Sequence, residues 1–353
     1  GGDMGALPNK LPGFQDVDDD NIRARFEKAW KAEFTGEHGL NLTEMFEAME
    51  QDTLRAVWVI GENPADSEAD VKHARAMLER LEVLVVQDVF MTRTAQMADV
   101  VFPAALGWAE SEGTATSSER RVQRIRAAVP PPGQAKQEIE IISEMAKRLG
   151  STTWGDPTPQ ELWDELRSLS PMHGGMSWER LEAEGGIQWP CPDEDHPGSL
   201  FLHGRLWERP ISGRRAPFSC VEHRPPVDEL NAEFPIRFTT GRVLDSYNTG
   251  VQSGKFDSPI RSGDALEISS EDAAMLNIVD GETVRVSSRR GSILMRVKTD
   301  AELQVGLAFT TFHFPELVDI NQLTSDATDS KSGTGEFKAA AIKIEKIESM
   351  ANV

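Results

Sequence analysis

Val57-Trp58-Val59-Ile60-Gly61-Glu62-Asn63-Pro64 is the stretch on which the fold turns. Four apolar residues in a row, closed by a glycine and a proline, read as a strand that is apolar on both faces. That is the pattern of a central strand in a parallel sheet. Val71, Ala74, Leu78 and Leu81 follow at helical spacing. A second apolar run, residues 83–86, ends at Gln87-Asp88, and a third, Val100-Val101-Phe102, stops at Pro103. Ile139, Ile142, Ala146 and Leu149 mark a later helix stopped by Gly150. Strand and helix alternate, which predicts a doubly wound parallel-sheet α/β domain over residues 51–150.

Working outward, residues 1–50 read as a loop followed by helices, with Ile22, Phe26 and Trp30 on one helical face, and as the remnant of an upstream domain. The chain opens on Gly1-Gly2-Asp3, which reads as a piece of something longer. Residues 151–228 carry a helix at Trp163 and Leu166, but Gly174-Gly175, Gly185-Gly186 and several prolines predict a long irregular connection. After Phe234 the pattern becomes β. Leu266-Glu267-Ile268 alternates, Ser270 is placed to cap a short helix, and residues 283–286 and 293–297 flank a turn containing Gly291. A closed β-barrel with a small helix is the economical reading of residues 229–353.

The formal charge of −21, from 58 acidic against 37 basic residues, repels nucleic acid and anionic lipid and sets both aside as partners. No apolar run approaches the ~20 residues of a membrane-spanning helix, and no signal peptide is visible. Two cysteines, Cys191 and Cys220, are too few for a disulfide framework or a four-thiolate cluster and point to a reducing cytoplasm.

In an open parallel sheet ligands collect beyond the carboxyl ends of the strands. Gly61-Glu62-Asn63-Pro64 and Gln87-Asp88 fall there. Free amides at the next helix start would suit a phosphate, and Asp88 would suit ribose hydroxyls. Alone, the first motif is better read as a tight turn, since four residues are weak evidence. Arg120, Arg121, Arg124 and Arg126 are a candidate anion patch, read either as a solvated face or, since Val122 and Ile125 interrupt them, as a partly docked segment. Cys191, His196 and His203 match no tetrahedral zinc spacing and read as structural, as does His313 between Phe312 and Phe314. No nucleophile signature, Walker loop or paired-carboxylate arrangement stands out.

Longer runs carry more. Residues 86–95, the segment Ala98-Asp99-Val100-Val101-Phe102-Pro103, residues 110–113 and Glu119-Arg120-Arg121-Val122-Gln123 together resemble the molybdopterin oxidoreductase superfamily. The opening residues 3–9, the connector Ile187-Gln188-Trp189-Pro190-Cys191 and residues 239–250 are similar to formate dehydrogenase catalytic (alpha) subunits, carboxyl-terminal half. So are Asn321-Gln322-Leu323-Thr324 and Glu336-Phe337-Lys338. The resemblance covers nearly the whole chain in order. It departs at Ser246, where family members often have His, and at Ser117, where they often have Asn.

The resemblance implies an α/β domain followed by a carboxyl-terminal β-barrel of the double-psi type. The cofactor it implies is bis(molybdopterin guanine dinucleotide) with Mo or W. Gly61, Asn63, Gln87, Asp88, Thr92 and Asp99 would bind one guanosine arm. Thr240, Gly241, Arg242, Ser246, Tyr247, Asn321, Phe337 and Lys338 would cover pterins and pyrophosphates. Of the two carboxylates, Asp99 is the expected guanine partner and Asp88 the ribose partner. The metal ligand, the formate-handling residues and a 4Fe-4S cluster are expected in an amino-terminal half of the same subunit, leaving no catalytic or metal-ligating residue here. Iron–sulfur or flavin electron-transfer subunits are the further partners implied. The activity implied is two-electron oxidation of formate to carbon dioxide by the complete enzyme. A nitrate or other oxyanion reductase, or a non-catalytic, separately encoded cofactor-binding half, is the alternative.

Overall fold

The computed structural model of the protein describes residues 2–202, 218–250, 263–329 and 333–347. Contacts divide the chain into two compact units, one of Gly1–Asn41 with Phe102–Glu222 and one of Leu42–Val101 with His223–Val353. The stretch 51–150 is therefore shared between the two units, divided between residues 101 and 102.

The second unit contains the parallel sheet and the barrel. Strands Ala56–Ile60 and Val83–Asp88 pair in parallel, Val59 opposite Val86 and Ile60 opposite Gln87, and Val100–Pro103 is the third strand of the row. Central position therefore falls to Val83–Asp88, not to Ala56–Ile60. Ile60, at the edge, is half exposed, because no described strand covers its far side. Helix Val71–Arg80 is capped by the Asp70 carboxylate on the His73 amide. It lays Ala74, Met77 and Leu78 on Leu84 and Val86, with Phe46 and Met49 of helix Leu42–Glu50 completing the core.

Six strands of the same unit close into a barrel in the order Leu266–Ser269, Ser292–Asp300, Thr283–Ser287, Ala340–Lys346, Ile236–Gly241, Leu307–Thr311. Two of its pairings are parallel and four antiparallel. The expected hairpin is present, with Val286 opposite Ile293. Alternation on each strand points Phe238, Leu266, Ile268, Val284, Val286, Met295 and Ile342 into one core. The small helix is Ser270–Met275, and its cap is Ser269 rather than Ser270.

The first unit corrects the expectation of an irregular connection. Helices Pro159–Leu169 and Trp178–Glu184 and the short strand Ile187–Gln188 pack Trp163, Met176, Leu181, Ile187 and Cys191 into a core of their own. The glycines there make tight turns: an added Cβ on Gly175 would lie 1.8 Å from the Asp193 carbonyl oxygen. Ile187–Gln188 extends a hairpin that periodicity did not reveal, Gly113–Thr116 with Arg121–Ile125. In helix Glu138–Arg148 the buried apolar residue is Ile141, while Ile142 and Leu149 are exposed. Of the first helical face only Phe26 is buried. Among the described residues no helix is long and apolar enough to cross a membrane.

Candidate functional site

The parallel strands end beside a cleft of about 320 Å³ that lies wholly within the second unit. One wall is Gly61, Glu62, Asn63, Ser67, Glu68, Asp88, Phe90 and Thr92, and the other is Arg242, Tyr247, Asn248 and Thr249, with Leu42 between. That volume sits at the lower end of the ~300–1,000 Å³ typical of small-molecule sites, room for one nucleoside arm rather than a whole dinucleotide pair.

The first wall is built by the turn after Ala56–Ile60. Gly61 donates its amide to the Gln87 carbonyl at 2.9 Å, extending the ladder by one residue, and then turns at φ +65°. Only glycine takes that conformation without strain. Asn63 is buried and fully engaged. Its Oδ1 accepts from the Thr94 amide (3.1 Å) and hydroxyl (2.8 Å), and its Nδ2 donates to Asp66 at 2.8 Å. Asp66 is held in turn by Arg93 at 2.6 Å and Arg75 at 3.1 Å, and Arg75 reaches Asp319 at 2.7 Å. Asn321, expected at the cofactor, is buried and donates to the Asp66 carbonyl oxygen instead, fastening the turn from the barrel side. The expected phosphate amides are already committed. Ala65 donates to the Thr94 hydroxyl, and Asp66 and Ser67 both donate to the Asn63 carbonyl. Thr92 faces the cleft while its hydroxyl caps helix Arg93–Met97.

Three carboxylates share this wall. Burial, then the neighbouring Glu62, push Glu68 up to about 7, with Ser67 opposing. Burial also raises Asp88, against the pull of the Phe90 and Val89 amides. Asp99 is placed elsewhere: it is exposed, it does not line the cleft, and its Oδ2 accepts the Leu84 amide at 2.8 Å. It sets the start of the central strand. Gln87, one residue before Asp88, is 1% exposed, and neither atom of its amide has a partner. A buried amide left unpaired in this way is the signature of a missing ligand or water.

The opposite wall carries one cation, Arg242, and Lys338 lies behind it without lining the cleft. Arg242 and Lys338 lie over the same Phe312 ring, 5.3 and 5.2 Å from its centroid, and neither forms an ion pair among the described residues. Lys338 donates to the Thr240 carbonyl and hydroxyl at 2.7 and 3.1 Å, and Thr240 donates to the Phe337 carbonyl. Lost hydration, then the nearby Arg242, lower the Lys338 ammonium below its ordinary value. An anion placed between the two would relieve that repulsion. Gly241 permits Phe309 to pack beneath the strand, since a Cβ would meet the ring at 2.6 Å. Ser246 lies on the same loop, its amide 3.4 Å from the Val243 carbonyl.

Gly61, Asn63, Asp88 and Thr92, expected at a guanosine arm, thus line one cleft with Arg242 and Tyr247, expected at pterins and pyrophosphates. Glu62, Asn248 and Thr249 were passed over although they lie inside the quoted motifs. Phe90 too lies inside a quoted run, whereas Leu42, Ser67 and Glu68 carry no local signal, since only the tertiary fold turns them inward.

The arginine run is not an anion patch. Arg120 donates to the carbonyls of Trp189, Ser199 and Leu200, and Arg121 to Gly186. Arg124 lies 3.4 Å above the Trp178 ring and pairs with Glu112 and Glu182, and Arg126 pairs with Glu182. The Cys191 thiol is buried against the His196 carbonyl at 3.3 Å, and burial raises its pKa. His203 lies outside the described residues. Among the described residues no group of three or more His, Cys, Asp or Glu is arranged to hold a metal ion.

Comparison with known proteins agrees with this architecture. The family model described as Molybdopterin oxidoreductase matches residues 4–148, and that described as Molydopterin dinucleotide binding domain matches residues 236–341. The chain is 40% identical over 350 residues to F420-dependent formate dehydrogenase 2 subunit alpha of Methanococcus maripaludis, covering 98% of this chain and 50% of the relative. It is 39% identical over 351 residues to F420-dependent formate dehydrogenase subunit alpha of Methanocaldococcus jannaschii, with the same coverage, 98% and 50%. It spans about half the length of the curated relatives it matches. Among solved structures, acetylene hydratase from Pelobacter acetylenicus shares the fold, with a TM-score of 0.67 at 20% identity over 94% of this chain and 50% of that one. On these matches, and on a parallel sheet and closed barrel that present one cleft lined with carboxylates and an arginine, the chain belongs to the molybdopterin oxidoreductase family.

Proposed function

We propose that this chain is the cofactor-binding carboxyl-terminal half of a formate dehydrogenase catalytic subunit, and that its cleft takes the guanosine arm of one pterin dinucleotide. The observation that carries this reading is the cleft's division of charge, with Glu62, Glu68 and Asp88 on one wall and Arg242 on the other. Guanine offers adjacent N1–H and N2–H donors that a carboxylate accepts in parallel, whereas phosphates call for the fixed donors of arginine and lysine. The residues present suit such a group: the buried Gln87 amide has no partner, one cleft wall is acidic, and Arg242 and Lys338 meet no carboxylate among the described residues. The substrate half of the reading is supported by the relatives named as formate dehydrogenase alpha subunits.

Asp88 is the carboxylate we assign to guanine, in place of Asp99, with Glu62 beside it for the ribose. Arg242 and Lys338 would hold phosphate. When bound, the bis(molybdopterin guanine dinucleotide), with Mo or W, supplies the two-electron redox chemistry that takes formate to carbon dioxide. The residues of this chain bind and orient it. We assign the metal's protein ligand and a 4Fe-4S cluster to an amino-terminal half of the same subunit. Iron–sulfur or flavin subunits would carry the electrons onward.

The test uses the full-length parent enzyme. Asp88→Asn should lower the GMP recovered by acid hydrolysis roughly tenfold, the worth of a charge-assisted pair, and Asp99→Asn should leave it near wild type. Full retention of GMP in Asp88→Asn would remove the guanine assignment. Loaded wild-type enzyme that oxidises reduced dye with nitrate but does not reduce oxidised dye with formate would remove the substrate assignment.

A further inference from the structure

The loop that supplies Arg242, Tyr247, Asn248 and Thr249 to the cleft has no regular secondary structure. Such a segment loses considerable entropy when a ligand orders it, unless something in the fold has already fixed it. Here that role falls to a residue outside the cleft lining. His313, 1% exposed, lies two residues past the end of strand Leu307–Thr311, and its ring spans the loop. The Val243 amide donates to Nε2 at 3.1 Å, and Nδ1 lies 2.5 Å from the Asn248 carbonyl oxygen. One ring therefore grips the loop just after Arg242 and again just before Thr249.

These partners fix the tautomer. Nε2 faces a backbone N–H, so it carries no proton. A carbonyl only accepts, so Nδ1 carries the proton and donates it. The ring is neutral and both nitrogens are used. Further contacts tighten the same loop: Arg242 Nε donates to Asn248 Oδ1 at 2.8 Å and the Gly250 amide donates to the Tyr247 carbonyl at 2.8 Å. Gly250 turns at φ +75° directly against His313, where an added Cβ would lie 1.8 Å from the histidine carbonyl oxygen. The glycine is what lets the loop close down on the residue that clamps it.

We propose that His313 is a positioning residue, which holds the Arg242-bearing wall of the cleft in its ligand-ready shape by bridging Val243 and Asn248. The proposal rests on the reading of the cleft as a nucleotide site. It adds that affinity there depends on a side chain that touches no ligand. Gly250 is part of the same device.

Two measurements on the full 353-residue chain test it. The first is nitrogen NMR of the His313 ring in the wild type, where the neutral Nδ1–H tautomer is expected. The Nε2–H tautomer would overturn the proposal, whether or not any ligand binds. The second is calorimetric binding of GDP, a probe for one arm of the cofactor. His313→Phe should bind GDP about tenfold or more weakly, through loss of the preformed loop. His313→Gln, which keeps one donor and one acceptor, should recover most of the difference. His313→Phe with wild-type GDP affinity would overturn the proposal, and so would equal loss in both folded variants. If the phenylalanine variant does not fold, the tautomer decides. Wild-type protein that fails to bind GDP would count against the nucleotide reading of the cleft. The positioning claim would then stand or fall on whether hydrogen exchange of the Val243 amide rises in His313→Gln less than in His313→Ala.

Discussion

Glu68 is the residue in the cleft whose charge is least settled by its neighbours. Its pKa rises from 4.5 to about 7 because burial and Glu62 both disfavour the carboxylate. The folded state therefore holds a proton that the unfolded chain releases at lower pH, so stability falls as pH rises from about 4.5 through about 7 and is level beyond. Glu68→Gln should remove that slope and raise stability at pH 8 by about 1–3 kcal/mol, read from urea denaturation at several pH values. An unchanged slope in the variant would place the titrating group elsewhere. At Asp88 and Asp99 the lesson is different. Both are aspartates near strand ends, and only their surroundings tell a cleft wall from a strand cap.

The hairpin Gly113–Thr116 with Arg121–Ile125 shows how an element can turn a charge run into a scaffold. Val122 is in the core with no exposure, and the arginine heads around it find carbonyls and carboxylates. Arg124, with its side chain 9% exposed and stacked on Trp178, is the anchor, whereas Arg126 is 53% exposed. Arg124→Ala should cost about 2 kcal/mol, through loss of a desolvated cation–π contact. Arg126→Ala should cost under about 1 kcal/mol. Equal losses in denaturant midpoint would contradict this division. In the same unit Asp3 is buried beneath Thr116 and His173. Burial raises its carboxyl, but hydrogen bonds from those two residues outweigh burial and lower it to about 2.

Across the whole molecule a charge of −21 is spread over a surface on which many ion pairs are exposed, such as Arg55–Glu82 and Lys147–Asp156. Exposed pairs contribute little, so the net repulsion should dominate the response to salt. The melting temperature is expected to rise as sodium chloride goes from low concentration to about 0.15 M, where the screening length has shrunk to ~8 Å. A fall over that range would mean that specific ion pairs outweigh the global field. The barrel and the first two strands of the parallel sheet lie in one compact unit although about 120 residues of sequence, residues 102–222, belong with residues 1–41 to the other.

The alternation of apolar strand and amphipathic helix, the β pattern after Phe234 and the glycine turn at Gly61 follow from local sequence, because each depends on side-chain period or on φ within a few residues. The motif runs singled out Gly61, Asn63 and Asp88 for a guanosine arm and Arg242 and Tyr247 for pterins and pyrophosphates, and only the tertiary fold lines one cleft with all five. What local pattern could not decide was partnership across long separations. Whether Arg124 meets solvent or Trp178, whether Asn321 meets a cofactor or the Asp66 carbonyl, and whether His313 fills a core or clamps a loop each depends on residues far off in the chain. Side-chain type sets what a group can bond to, but burial and the partner that arrives from elsewhere decide which bond it makes.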